Sequence, residues 1–324
     1  MIKNKILPIF GDCHKWGGGS GVKPLTEGFG RQPRNPSVTA SRRHLPIWLR
    51  KMGRILASAL TLFLTACAAP QPGSSAALTI VSMNPCTDAI LAEVADPQQL
   101  LAISTYSQDP ASSSMDLARA KAMNAVSGTV EEVLALRPGI VIGSSFTPPG
   151  TRMALERLGY RFEAFGLAGT VEESRAQVRA LARLAGHPER GEAMVARIDA
   201  ALAQAAPPPG PPVKAVVWQS GGIVPGQGTL IDDLLARTGF VNYAAQRGLH
   251  QADVLGLEAM LADPPQVIFA SGNRYSEEDR LLSHPALDAL SGTRRAAFEP
   301  RLLWCGGPTI VRAVARLAQV RRSL

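Results

Sequence analysis

Residues 170–206 read TVEESRAQVRALARLAGHPERGEAMVARIDAALAQAA, and this stretch predicts two consecutive helices. Thr170 followed by Glu173 forms a capping box, which marks the start of the first helix. Gly186 and Pro188 interrupt the helical pattern, and proline suits the first turn of a second helix. That second helix is roughly 28 Å long at ~1.5 Å per residue, which is enough to join two globular lobes as a rigid strut. The stretch therefore predicts a two-lobed protein built on a helical spine.

Strands and helices alternate on both sides of this spine. Such alternation predicts parallel sheets covered by helices on both faces, an α/β fold with two Rossmann-like lobes. We divide the chain into a leader (1–66), a tether (67–77), an N-terminal lobe (78–169), the spine (170–206) and a C-terminal lobe (207–324). In the second lobe the pattern also predicts a helix over 253–262, capped by Asp253, and a last strand over 302–304.

A short internal sequence repeat supports two similar lobes. LALRPGIVI at 134–142 matches LADPPQVIF at 261–269 as a helix end, a proline turn and a strand. A glutamate, Glu131 or Glu258, stands three residues before each leading leucine. We expect the two glutamates to occupy equivalent places on the two lobes.

The formal net charge of +8 is distributed unevenly along the chain. Before Cys67 there are 11 Lys+Arg against 2 Asp+Glu, a net of +9, and from Cys67 onward there are 23 against 24, a net of −1. The predicted folded part is nearly neutral, which argues against nucleic acid as a partner.

The leader has the anatomy of an export signal. Basic residues up to Arg54 precede a short apolar run over 55–64, which is too short for an ordinary membrane span. The run ends in LTAC, which resembles a bacterial lipobox with Cys67 as the lipidated residue. We expect a periplasmic protein held at a bacterial membrane through a lipid anchor; the alternative is cleavage nearby with Cys67 incidental.

Signatures of catalysis are missing from the sequence. QSG at 219–221 lacks the leading glycine of a Gly-x-Ser-x-Gly elbow, and GQG at 226–228 is too short for a phosphate or dinucleotide loop. His187, His250 and His284 are far apart from one another in the sequence. Direct binding of a bare transition metal ion requires a cluster of His, Cys or carboxylate ligands. We therefore expect neither an enzyme nor a resident metal or cofactor, with His250 the histidine best placed for a ligand role.

Aromatic residues fall at the ends of predicted strands, where open α/β sheets bind ligands. They are Tyr106, Trp218, Tyr275 and Trp304. Arginines 247, 274 and 301 could add charge to the same region. For each aromatic residue the alternative is burial as ordinary core.

Cys86 and Cys305 also follow predicted strands, one in each lobe. Exported proteins usually pair their thiols. Three interpretations stay open at the level of sequence: buried free thiols, residues of the cleft, or a disulfide that ties the lobes.

Four segments together resemble the helical-backbone periplasmic binding proteins of ABC importers, the class that captures vitamin B12 and ferric siderophores. They are IVSMNPCTDAIL, STYSQDP, GTVEEVLALRPGIVI and LLWCGGPTIVRAVARLA. STYSQDP is most similar to the cobalamin-binding members, whose tyrosine at the place of Tyr106 faces the ligand, and Trp304 matches an aromatic residue near the last strand. Glu131 and Glu258 match the two glutamates that engage arginines of the permease in that family.

The resemblance implies a monomeric binding protein with a ligand cleft between its two lobes, which delivers a small-molecule chelate to an ABC permease and its ATPase subunits. The cargo would be a corrinoid or a ferric siderophore, whose metal arrives already chelated. The alternatives are a haem-binding protein of the same fold, in which Tyr106, His250 or a cysteine ligates iron, and an exported hydrolase. The expected ligand-binding residues are Tyr106, Trp218, Trp304, Arg274, Tyr275, Cys86 and His250.

Overall fold

The computed structural model describes residues 77–272 and 277–324, so the leader, Cys67, Arg274 and Tyr275 lie outside the described part.

The N-terminal lobe contains a five-stranded parallel sheet in the order β3-β2-β1-β4-β5. The strands are β1 (Ile80–Ser82), β2 (Leu100–Ser104), β3 (Ala125–Val126), β4 (Ile140–Ser144) and β5 (Phe162–Phe165). The helices are α1 (Pro85–Val94), α2 (Leu117–Lys121), α3 (Val130–Leu136) and α4 (Pro149–Arg157).

Capping residues define where the helices of this lobe begin. The side chain of Asn84 accepts a hydrogen bond from the backbone N–H of Cys86, and Pro85 fills the first turn of α1. Thr129 and Glu132 form a complete capping box at the start of α3. These local signals position α1 and α3 at the ends of β1 and β3.

The predicted spine is a helical hairpin. Helices α5 (Val171–Leu184) and α6 (Pro188–Gln204) are separated by Gly186, whose φ of +82° reverses the chain. A Cβ added at Gly191 would lie 2.5 Å from the Cβ of Ala182, so the helices approach closely near the turn. The break between the helices is where the sequence predicts it. The connection differs from a simple strut because α5 packs antiparallel along α6.

The C-terminal lobe has a four-stranded parallel sheet in the order β11-β10-β6-β8, with an antiparallel pair β7-β9 beside it. The strands are β6 (Val213–Gln219), β7 (Ile223–Pro225), β8 (Phe240–Asn242), β9 (Gln251–Val254), β10 (Val267–Ser271) and β11 (Arg294–Ala297). The helices are α7 (Leu230–Arg237), α8 (Leu257–Ala262), α9 (Pro285–Asp288) and α10 (Thr309–Arg321).

The two sheets share one topology, in agreement with the short internal repeat in the sequence. In the first lobe the chain order across the sheet is β2-β1-β4-β5, and in the second it is β8-β6-β10-β11. The first, second, third and fourth strands of these sets correspond pairwise. Helix α3 leads into β4 as α8 leads into β10, so Glu131 and Glu258 lie in the first turns of equivalent helices.

Two elements of the second lobe differ from the sequence-based prediction. Residues 251–254 form β9 rather than the start of a helix, and Gly256 precedes α8 in place of Asp253. The last strand is β11 at Arg294–Ala297, while Pro300–Leu302 is a 3₁₀ turn. Strand β11 lies at the edge of its sheet, where its exposed polar residues give no apolar run to read.

A disulfide joins the two lobes. Cys86 in the first turn of α1 bonds to Cys305, and their Cα atoms lie 4.9 Å apart across a sequence separation of 219. This selects the third of the three interpretations left open by the sequence. It also removes Cys86 as a thiolate ligand, because its sulfur is already bonded.

The segment that carries Cys305 sits tightly on the spine. The backbone N–H of Gly307 donates to the hydroxyl of Ser174 at 2.7 Å. A Cβ at Gly306 would lie 2.3 Å from that same hydroxyl oxygen, and Gly307 has a φ of +58°. Glycine is therefore required here for close approach and for a left-handed backbone.

Of the helices in the described ranges, none is long and apolar enough to cross a membrane.

Replacing both cysteines, Cys86→Ala with Cys305→Ala, should lower the free energy of unfolding by about 2–5 kcal/mol. The reason is that the bond restricts the unfolded chain over a long loop. Urea denaturation of wild type and variant, each with and without dithiothreitol, measures this. The variant is its own control, since its curve should not respond to the reductant. An oxidised wild type no more stable than the reduced one would contradict the prediction.

Candidate ligand-binding cleft

The disulfide brings the carboxyl edges of the two parallel sheets together. Cys86 lies shortly after β1, and Cys305 lies after β11 and the 3₁₀ turn Pro300–Leu302. Ligands of open α/β sheets bind outside the carboxyl ends of the strands. The region between these two edges is therefore the candidate cleft.

The N-terminal side of this region carries an exposed apolar wall. Tyr106, Phe146 and Leu167 are 36%, 60% and 43% exposed, and they follow β2, β4 and β5 respectively. Large apolar side chains exposed together at one sheet edge are typical of a binding surface.

A groove of about 290 Å³ lies between segments of the two lobes. The segment after β2 contributes Pro110, Ser113 and Met115, and the segment after β11 contributes Pro300 and Arg301. Arg301 forms an ion pair with Glu299 at 2.5 Å while its side chain stays partly exposed. Glu299 lines the groove as well, so the charge of the guanidinium is balanced by its paired carboxylate.

A buried carboxyl group holds the turn that presents Tyr106. Asp88 on α1 is fully buried, and its Oδ2 accepts hydrogen bonds from the backbone N–H of Ser104 at 2.8 Å and the hydroxyl of Ser107 at 2.7 Å. Its other oxygen, Oδ1, lacks a hydrogen-bond partner among the described residues. Asp88 therefore couples the first helix to the 3₁₀ turn Thr105–Gln108 at the cleft.

Burial raises the pKa of Asp88 to about 7, against the opposing effect of its hydrogen bonds from serines. Desolvation disfavours the carboxylate, and hydrogen bonds donated to Oδ2 favour it. Near neutral pH this side chain consequently changes between a neutral and a charged state.

The structure places the predicted aromatic residues differently from one another. Trp218 is 0% exposed, and its indole N–H donates to the carbonyl of Leu255 at 3.1 Å. The prediction that Trp218 lines the cleft is wrong, because its side chain is inside the core of the second lobe. Trp304 is partly buried against the main core and adjoins Cys305. Tyr106 lies at the exposed edge.

The predicted polar residues are also separated by the fold. The side chain of His250 is 69% exposed in the turn before β9, and its backbone N–H donates to Asp253. Arg247 packs over the ring of Tyr243 at 3.4 Å and forms an ion pair with Asp263, so it is occupied elsewhere in the second lobe. Within the described ranges, no group of three or more His, Cys, Asp or Glu side chains could hold a metal ion.

Glu131 and Glu258 are both exposed, each at the second position of its helix. In the part of the chain that the structure describes, neither carboxylate takes part in a hydrogen bond or ion pair, whereas Glu132 is held in the capping box. The dipole of a helix favours negative charge at this position. Both carboxylates are thus available to a partner.

The sequence matches the family model described as periplasmic binding protein over residues 80–295, which is about two thirds of the chain. This chain belongs to the periplasmic binding protein family. It is therefore a binding protein of solute transport rather than an enzyme. Comparison with curated protein sequences gave no match.

Solved structures with the same fold include other periplasmic binding proteins. The heme-binding protein RhuT of Roseiflexus sp. RS-1 in its apo form has a TM-score of 0.62 at 21% identity, covering 76% of this chain and 98% of that one. The vitamin B12-binding protein BtuF of Vibrio cholerae has a TM-score of 0.59 at 21% identity, covering 76% and 97%. A heme-binding protein of Pseudomonas aeruginosa has a TM-score of 0.58 at 25% identity, covering 75% and 92%. These likenesses confirm the two-lobed α/β fold.

Phe146 and Leu167 belong to the exposed wall of this binding protein, and no sequence-based prediction includes them. Phe146 follows β4 and Leu167 follows β5, as Tyr106 follows β2. Phenylalanine and leucine at strand ends are common core residues, so they stand out less in a sequence than tyrosine, tryptophan or arginine do. Any large apolar residue just after a strand, followed by a turn, would have been the more general signal.

The stability of this periplasmic binding protein should fall, relative to that of Asp88→Asn, as pH rises from 4 toward 7. The folded-state pKa of Asp88, about 7, lies above the ordinary value of 3.8, so the native state holds more protons than the unfolded state across that interval. One proton gives a slope of at most about 1.4 kcal/mol per pH unit. Asparagine does not titrate, and other groups cancel in the difference. Urea denaturation at several pH values measures it; a difference independent of pH would disprove the assignment.

Proposed function

We propose that this protein captures a preassembled metal chelate, of the corrinoid or ferric siderophore class, and delivers it to the permease of an ABC importer. The supporting observation is the wall of Tyr106, Phe146 and Leu167 at the carboxyl edge of the first lobe. A bulky rigid ligand stacks on such a wall without any covalent step. The resemblance of STYSQDP to cobalamin-binding members favours a corrinoid.

Haem is the second candidate cargo, and the phenol of Tyr106 is the specific feature that favours it. Its oxygen could ligate the iron of a haem stacked against the wall. Heme-binding proteins are also among the solved structures that share the fold. Haem and corrinoid cargo differ in what they require of this one hydroxyl group.

Absorption and fluorescence titrations with cyanocobalamin, a ferrichrome-type chelate and haemin should reveal which chelate binds. For a stacked corrinoid, Tyr106→Ala should weaken binding about fivefold, on the order of 1 kcal/mol for one ring, while Tyr106→Phe stays near wild type. For ligated haem, Tyr106→Phe should instead shift the Soret band. Phe146→Ala tests the wall independently of the hydroxyl. Failure of all three chelates to bind would overturn the proposed function.

The proposed delivery uses Glu131 and Glu258 as the contacts with the permease. They are exposed, unpaired in the described ranges, and equivalent by topology. One carboxylate on each lobe could pair with arginines on two permease subunits and orient the complex. Charge pairing of this kind weakens as salt rises.

Uptake by the reconstituted importer should be lost in the double variant Glu131→Arg with Glu258→Arg, while cargo affinity and thermal stability stay near wild type. Each single variant should retain part of the uptake. A double variant with the same change of charge elsewhere, Glu156→Arg with Glu189→Arg, is the control and should transport normally. Normal uptake by the Glu131/Glu258 variant would exclude docking through these residues.

A further inference from the structure

A second pocket, of about 280 Å³, lies where the two lobes meet the spine. Its walls come from α1, α2 and the segment before α2 in the first lobe, α6 of the spine, and α10 of the second lobe. Met115 lines both this pocket and the groove of the cleft, so the two spaces adjoin. We refer to it below as the arginine pocket.

The arginine pocket is lined by three guanidinium groups and two carboxylates. Arg197 forms an ion pair with Glu93, which neutralises both charges. Asp116 also lines the pocket, and its Oδ1 accepts a hydrogen bond from the backbone N–H of Arg119 as the cap of α2. The lining therefore has a net charge of +1, from three arginines and two acids.

Arg119 and Arg312 bond to carbonyl oxygens but to no carboxylate among the described residues. Arg119 donates to the carbonyl of Ala92, and Arg312 donates to the carbonyl of Ser114 at 2.5 Å. A guanidinium has five N–H donors in a planar fork, so each of these side chains keeps donors for a further acceptor. Desolvation lowers the pKa of Arg312, and the like charge of Arg301 adds to this effect. An anion beside Arg312 would relieve both.

The hydroxyl of Ser114 provides an independent indication. Ser114 is 2% exposed and lines the arginine pocket, yet its Oγ has no hydrogen-bond partner in the described part of the chain. A buried hydroxyl without a partner costs on folding, and such groups in native structures call for an explanation. Rotation of the side chain about its Cα–Cβ bond would turn this buried hydroxyl toward the pocket, where a ligand oxygen would accept its hydrogen bond.

We infer that the arginine pocket binds an aliphatic carboxylate, with its oxygens on Arg312 and Ser114 and its carbon chain against the apolar side of the pocket. A single negative charge matches the net charge of the lining, and the planar guanidinium fork matches a carboxylate. Ala89, Ala92 and Val311 form the apolar side of the pocket. The carboxylate could belong to a free organic acid or to a side group of the cargo that reaches across from the adjoining groove.

Titration of the purified full chain with sodium propionate, followed by two-dimensional NMR, tests the inference. Propionamide has nearly the same shape without the charge and should bind at least about tenfold more weakly, as expected for the loss of a charge-assisted hydrogen bond. Arg312→Gln should weaken propionate binding by a similar factor. Arg183→Gln removes an exposed arginine on α5 that does not line the pocket, and it should leave binding unchanged.

Ser114→Ala keeps the test decisive if Arg312→Gln folds poorly. It should weaken propionate binding several-fold without lowering the thermal midpoint of the free protein, because it deletes a buried hydroxyl that had no partner. Equal responses to propionate and propionamide would overturn the inference. So would unchanged propionate affinity in both Arg312→Gln and Ser114→Ala, or binding of phosphate in place of propionate.

Repeating the propionate titration with haemin present distinguishes the two sources of the carboxylate. Loss of propionate binding at saturating haemin assigns the pocket to a carboxylate arm of the cargo, and unchanged binding assigns it to a free acid; both results support a carboxylate site. This arm alone rests on the proposed function. If haemin does not bind at all, the haem alternative fails while the result with propionate alone stands.

Discussion

The bond between Cys86 and Cys305 sets the relation between the two lobes. One sulfur belongs to the first turn of α1, and the other to the glycine-rich segment that lies on Ser174 of the spine. The lobes are therefore joined twice, by a helical hairpin and by a covalent bond near the carboxyl edges of both sheets. A two-stranded flexible hinge would permit wide opening, whereas this double connection favours a cleft that is largely formed before the ligand arrives.

A rigid frame makes local details of the cleft matter more. Asp88 lies two residues after the disulfide on α1 and bonds to Ser104 and Ser107, which flank Tyr106. The covalent tie and the presentation of Tyr106 consequently share one helix turn. The buried carboxyl is destabilising when charged, yet it satisfies a backbone N–H and a hydroxyl that would otherwise be buried without partners. Stability is in this way exchanged for the position of one turn at the candidate cleft.

Local signals in the sequence predict most of the fold. Capping residues such as Thr129 and Thr170, and turns at Gly186 and Pro188, act within a few residues, and the structure has helix boundaries where they predict them. The sequence does not predict strand β11, because an edge strand that contains Arg294 and Arg295 lacks an apolar pattern. The orientation of a side chain at a strand end escapes for a different reason. A shift of one residue moves it to the opposite face of the sheet. Trp218 at 0% exposure and Tyr106 at 36% show how far two strand-end residues can differ.

Contacts between distant segments account for the rest of what the sequence could not predict. The arginine pocket requires Ser114, Arg197 and Arg312 to meet, and these residues belong to the first lobe, the spine and the second lobe. The same reasoning applies to Glu131 and Glu258, whose equivalence follows from the repeated topology but whose spacing is set by the tie between lobes. In the docking proposed above, two carboxylates at a fixed spacing would engage a permease together. The entropic cost of orienting the protein is then met once for both ion pairs, which is the advantage of two linked contacts over two independent ones.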